Sequence, residues 1–379
     1  MMTSKERLLA AMRREEVDKI PLAPRMTNVT LRYYRSTDLW AYQKFKKEYF
    51  DCDPTVVYEL PVINPFAACI EPLDYLNDVD IALEYTDKKD HFLIKRTFRT
   101  PAGTISEKVI LPKPGTIHYG ANPNPHRVEH LVKSPEDLDK IRYLFPKLDG
   151  LNFSKYHHAV EEMGLDGLTQ IYLPGPMDTM GGEACSTEQM MVDYYERPEF
   201  FDAILKIFAE YSVGLVKTAL ENGVRDFFLV YFYTSLSAGW SPKIITEKFY
   251  PIIKKQTEMI HSGGGLVDYY DDGRLMDSVD IFVKAGVDVI ETCSPAPVGD
   301  FRLPEAKERW GNNVTFKGLI DMINVIALGT PADIDKHVQD IVTQNGDKRG
   351  MILGTMDGIR PETSDENIAA YFSAANKYR

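Results

Sequence analysis

The chain has 379 residues, 44% of them hydrophobic, and its 44 Lys and Arg against 56 Asp and Glu give a formal net charge of -12. That length fits two ordinary domains or one large α/β barrel, and the acidic balance argues against nucleic acid or an anionic membrane as main partner. Four scattered cysteines (Cys52, Cys69, Cys185 and Cys293) show no CxxC pattern and read as reduced thiols of a cytoplasmic protein, while no apolar run is long enough to span a bilayer and the N-terminus reads as a charged helix rather than a signal peptide.

The chain opens on TSKERLLAAM, where Thr3 and Glu6 make a capping-box pattern ahead of an apolar helical face formed by Leu8, Leu9, Ala11 and Met12. A short extended run, IPLAPR, follows. Later helices open on the same kind of signal, a hydroxyl cap before a proline, at Ser134-Pro135, Ser241-Pro242 and Thr330-Pro331. Between the helices lie apolar runs that predict strands: TVVYEL from Thr55, TQIYLPGP from Thr169, DFFLVYFY from Asp226 and LVDYYDD from Leu266. VDVIET from Val287, VTFKGLID from Val314 and MILGTMD from Met351 continue the series. With IPLAPR they make about eight strands, most separated by helices. Continuous apolar strands alternating with helices predict a buried parallel sheet, here a (β/α)8 TIM barrel filling residues 1–379 as a single domain. A doubly wound sheet is the alternative, but the first strand is not followed by a glycine-rich phosphate turn. HFLIKRTFRTPAGTISEKVILP, His91 to Pro112, predicts a β-hairpin carried on an early βα loop. The closing ETSDENIAAYFSAANKYR reads as a capped helix.

In such a barrel the chemistry sits at the C-terminal ends of the strands. The pattern therefore nominates Arg25 and Asn28 after strand one, Glu59 at strand two and Asp178 after strand three. Tyr231 and Tyr233 come from strand four and, two apart, share one face of it, where either could simply be core. Tyr270 and Asp272 end strand five, Glu291 and Cys293 strand six, Asp321 follows strand seven, and Asp357 and Arg360 follow strand eight. Glu291 and Arg25 can pair as an ion bridge. Asp272 and Asp357 converge on one mouth, where crowding in a partly dry site raises a carboxyl pKa and keeps a general acid protonated; Tyr270 stands beside them as a hydrogen-bond donor. The same carboxylates could instead hold a hard divalent cation.

KERLLAAMRREEVDKIPLAPR, KAGVDVIETCSPAPVGD, FKGLIDMINVIALGTPADI and ETSDENIAAYF together resemble the uroporphyrinogen decarboxylase superfamily along the whole chain. The resemblance implies a (β/α)8 barrel and either decarboxylation or methyl transfer to or from a corrinoid protein. The decarboxylase branch carries an RQAGR-type segment after strand one; the matching stretch here is RMTNVTLRYYRS, which keeps Arg25 but lacks the motif. The zinc-dependent thiol methyltransferases carry His-x-Cys at the end of strand five and a Cys after strand eight. This sequence has Tyr270-Asp271-Asp272 and Asp357 there, so the resemblance implies no zinc and no metal at the thiol-activation site.

What the resemblance leaves is the corrinoid-dependent O-demethylase type. It implies a cytoplasmic enzyme that moves a methyl from a small donor, such as a methoxylated aromatic, to the cobalamin of a separate corrinoid-binding protein. Tyr270, Asp272 and Asp357 would be catalytic. Arg25, Asn28, Glu59, Asp178, Tyr231, Tyr233 and Glu291 would bind substrate, with the aromatic DFFLVYFY run flanking a ring. No segment of the chain reads as a corrinoid domain of its own. Two other expectations stand beside this one: a cofactor-free decarboxylase or lyase acting on a carboxylated substrate, and a non-catalytic relative that binds a tetrapyrrole or a partner.

Overall fold

The computed structural model describes residues 1–60, 78–113, 125–180 and 184–379. Its contacts divide the chain into two compact units. Met1–Leu60, Asn152–Leu173 and Ala219–Arg379 form the first, Pro61–Leu151 and Pro174–Thr218 the second. In chain order the strands are β1 (Thr55–Tyr58), β2 (Asp80–Asp87), β3 (His91–Thr100), β4 (Gly103–Pro112), β5 (His126–Glu129), β6 (Leu168–Pro174), β7 (Asp226–Val230), β8 (Leu266–Tyr270), β9 (Val289–Cys293), β10 (Thr315–Ile320) and β11 (Met351–Thr355).

The first unit is built on a seven-stranded sheet in the order β1-β6-β7-β8-β9-β10-β11. The pairs β1–β6, β7–β8, β8–β9, β9–β10 and β10–β11 run parallel. Every residue of β9, β10 and β11 is buried, as a parallel sheet covered on both faces requires. This is a mixed α/β, TIM-like architecture. The expected first strand is reduced to one bridge, Leu22 with Leu353. Ala23 N donates to Leu353 O at 2.8 Å, and Asp53 N donates to Leu22 O at 2.7 Å. The short segment thus bonds to β11 on one side and to the residues entering β1 on the other. Pro21 and Pro24 bracket it, and without N–H groups they cannot extend a ladder. Buried Asp53 fixes the junction: it accepts from Leu22 N at 3.0 Å and from Arg379 Nη1 at 2.7 Å, and it pairs with Arg7.

The helix caps form where the sequence places them. Thr3 and Thr330 complete capping boxes with Glu6 and Asp333, and Ser241 and Ser364 accept from the backbone of Ile244 and Asn367. The run from Asp226 is shorter than its composition predicts. The strand stops at Val230 and Phe232–Thr234 forms a 3-10 turn, so Tyr231 and Tyr233 do not share a strand face.

The second unit contains a four-stranded antiparallel sheet in the order β2-β3-β4-β5. The two runs around Pro101-Ala102 pair antiparallel from His91↔Pro112 to Thr100↔Gly103 and are the inner strands of that sheet. Among the described residues Cys52, Cys185 and Cys293 are buried free thiols; Cys69 lies outside them. No described helix is long and apolar enough to cross a membrane.

Candidate active site at the ends of the parallel strands

A single arginine organises the strand ends of the first unit. Arg25 follows the Leu22 bridge, and its Nε donates to Glu291 Oε1 on β9 at 2.9 Å. Its Nη1 reaches Asp357 Oδ1, beyond β11, at 3.2 Å. Its guanidinium lies over the Tyr270 ring at 4.4 Å and over the Phe228 ring at 5.5 Å. The two rings are themselves in contact, 5.6 Å apart. The side chain is 28% exposed, which places it at a boundary between core and solvent.

Behind Arg25 the contacts descend into the sheet. Glu291 also pairs with Lys317 Nζ on β10 at 2.6 Å, and Lys317 pairs with Asp268 on β8 at 2.9 Å. Gln170 Nε2 on β6 donates to the same Asp268 oxygen at 3.2 Å. Lys317, Asp268 and Glu291 are all at most 3% exposed, so these are ionisable groups removed from water and held by one another. Burial alone would raise the Glu291 carboxyl; Lys317 and then Arg25 outweigh it and hold it low, so Glu291 is the ionised hinge of the ladder.

Asp272 differs. It stands two residues past the end of β8 and forms no salt bridge among the described residues, while the Arg25 charge and a Thr292 hydrogen bond act on it from nearby. Its Oδ1 accepts from Gly273 N at 2.8 Å. Gly273 has φ +77°, and a side chain there would collide with Ser237, so the turn that carries Asp272 requires glycine. Burial first, and the nearby Asp357 carboxylate second, push the Asp272 carboxyl up. Burial likewise pushes up the Tyr270 phenol. Asp357 is 52% exposed and is held by Arg25.

The other nominated residues are placed as follows. Asn28 donates to Ile359 O at 2.9 Å and ties the helix Thr27–Tyr34 to the loop after β11. Glu59 follows β1, exposed at its surface, with its carboxyl raised by the protein packed around it. Tyr231 is fully buried, stacks on Tyr269 at 5.2 Å and donates its hydroxyl to Gln256. Tyr233 is half-buried in the 3-10 turn. Cys293 is buried with its thiol pushed up by burial. Asp321 accepts from the backbone of Ile323 and Asn324 and caps the segment Met322–Ala327. Arg360 pairs with Glu362 at 3.3 Å. Asp178 lies in the second unit, 7% exposed, in the short helix Pro176–Thr179. The structure therefore gathers Arg25, Tyr270, Glu291, Asp272 and Asp357, and adds Lys317, Asp268 and Gln170, which the sequence reading passed over. Their signal was present: one charged or amide side chain inside an otherwise apolar buried strand. Among the described residues no three His, Cys, Asp or Glu side chains are grouped so as to hold a metal.

The family model for Uroporphyrinogen decarboxylase (URO-D) matches residues 176–378. Over 203 residues the chain is 24% identical to Uroporphyrinogen decarboxylase 2, chloroplastic, from Oryza sativa subsp. japonica, covering 52% of this chain and 48% of that protein. The uroporphyrinogen decarboxylase of Hordeum vulgare is 23% identical over 203 residues, 52% of this chain and 57% of its own. The matched region is thus about half the length of these curated relatives. A solved structure described as a methyltransferase from Methanosarcina mazei superposes with a TM-score of 0.63 at 15% identity, covering 100% of this chain and 99% of that one, and so has the same fold.

Proposed function

The chain belongs to the uroporphyrinogen decarboxylase (URO-D) family, and from that premise we propose that it is a methyltransferase which passes the methyl of a small O-methyl donor to the cobalt of a separate corrinoid protein. The observation that carries this reading is Asp272: a carboxyl raised by burial and by Asp357 against the opposing charge of Arg25, in no salt bridge among the described residues, just past the end of a central strand. Such a group holds a proton where an ordinary aspartate has lost it.

An O-methyl donor needs that proton. Its leaving group is an alkoxide or phenolate, and attack on the methyl is slow unless the oxygen is protonated as the bond breaks. In the proposed step the Asp272 proton moves to the ether oxygen, which keeps the electron pair of the broken O–CH3 bond. The methyl passes to the electron pair of the reduced cobalt(I) of the partner, the second substrate. The products are an alcohol or phenol and a methylated corrinoid, and Asp272 recovers its proton from solvent. Arg25 holds Asp357 in place beside the acid, and the Tyr270 and Phe228 rings under its guanidinium form a fixed wall. The fold shared with the M. mazei methyltransferase suits this chemistry, and the reading places the enzyme in the cytoplasm with its corrinoid partner.

The experiment is a spectrum of methylcob(III)alamin formation from cob(I)alamin, and from the cognate corrinoid protein, with methoxylated aromatics and methylamines as donors. The reading expects product from the O-methyl class. Carbon dioxide release from a carboxylated substrate without any corrinoid would establish the decarboxylase alternative instead. Against a non-catalytic relative stands Asp272 itself, which among the described residues forms none of the salt bridges that a merely structural acid cluster would supply.

A further inference from the structure

Among the described residues, two buried acceptor atoms of the first unit go without a hydrogen bond: Asp268 Oδ1 and Gln170 Oε1 are shielded from solvent, and neither has a hydrogen-bond partner there. Yet their side chains are already joined, because Gln170 Nε2 donates to Asp268 Oδ2. A buried acceptor without a donor is costly, and two in one contact call for a common cause. One proton removes both. Placed on Asp268 Oδ1 it donates to Gln170 Oε1, and acid and amide close a ring of two reciprocal bonds.

Charge points the same way. Lys317 and Arg25 contribute two positive charges, and Glu291 and Asp357 two negative ones. With Asp268 neutral the ladder Lys317–Glu291–Arg25–Asp357 alternates in sign and balances. With Asp268 ionised its buried end carries a surplus carboxylate. The groups that bear on Asp268 are Gln170 from β6, Lys317 from β10 and Glu291 from β9. Burial raises its carboxyl, Lys317 opposes, Glu291 adds to the rise, and the net direction is upward.

We propose that Asp268 is a carboxylic acid in the folded chain, and that this neutral acid–amide pair leaves the charge of Lys317 to Glu291, making Lys317 a positioning residue for Arg25. Asp268→Asn is then a near-perfect mimic, since its amide reproduces both bonds to Gln170 and still accepts from Lys317. Lys317→Met removes the support beneath Glu291.

The test is carbon-13 NMR of the full chain with labelled aspartate carboxyls, Asp268 being assigned by its loss in D268N. At about pH 5 a solvated aspartate is ionised; the Asp268 carbon is expected to keep its protonated shift there. D268N is expected to melt within about 2 °C of wild type. The Arg25 Nε–H resonance, assigned with R25K, is expected to stay in place in D268N and to move in K317M. Stability gives an independent profile. A folded pKa above the unfolded one stabilises fully below the unfolded pKa, and that share is lost as pH rises through the folded value. Wild type should show this fall and D268N should lack it. An ionised Asp268 carbon at about pH 5 would overturn the proposal, and D268E supplies the same assignment if D268N fails to fold. An unmoved Arg25 resonance in K317M would overturn the positioning role.

Discussion

Each unit buries a charged triad, and the two are mirror images. In the antiparallel sheet one carboxylate, Glu107, is clamped by two guanidiniums: Arg96 from the neighbouring strand, and Arg127 at 2.5 Å. In the parallel sheet one ammonium, Lys317, sits between two carboxyl groups, Asp268 and Glu291. All six side chains are at most 8% exposed. The difference lies in what each can do with a proton. Arginine does not give one up in a protein, so the two guanidiniums keep their charge on either side of Glu107 and act as a lock. Carboxylates between which a lysine is shared can take one up, so the Lys317 triad can shed a negative charge when that helps. The lock belongs to a sheet without nominated chemistry. The adjustable triad lies directly beneath Arg25 and the candidate acid.

Mutation can break this comparison. Glu107→Ala should have the largest effect on stability, because it leaves two permanent charges buried without their carboxylate: about 3–5 kcal/mol in denaturant titrations. Lys317→Met should cost less, about 1–3 kcal/mol, because Asp268 is free to stay neutral and Glu291 keeps Arg25. Equal losses would show that the parallel-sheet triad is as rigid as the other. The outer arm sharpens the contrast. Asp357 is 52% exposed, and Asp357→Asn should change stability by less than about 1 kcal/mol, while lowering the rate of the reaction by easing the pressure that keeps Asp272 protonated.

The same contrast explains what the sequence revealed. Strands β8 to β11 were legible because continuous apolar runs between capped helices have few other solutions. The Arg25–Glu291 bridge was legible too, since both residues fall at strand ends that a barrel brings together. The first strand was overread: IPLAPR has the apolar content of a strand, but its prolines leave room for one bridge. The run DFFLVYFY was overread in the opposite place. Its aromatic alternation continues past Val230, while the backbone turns and sends Tyr231 to Gln256. Lys317, Asp268 and Gln170 were missed for a third reason. Each looks like a minor interruption of an apolar strand, and only the register of three separate strands shows that they meet. Local pattern predicts elements well; a charge shared across a sheet is a property of tertiary contact.

The central claim is that Asp272 is the acid of a methyl transfer, and its most direct test is the single-turnover rate of corrinoid methylation by wild type and Asp272→Asn across pH. General acids contribute about 10²- to 10⁴-fold, so the account predicts a loss of that size in a variant that still folds. It also predicts a wild-type rate that falls as pH rises through the raised Asp272 pKa, with D272N flat over the same range. A D272N rate equal to wild type, or a wild-type rate indifferent to pH in that window, would contradict it.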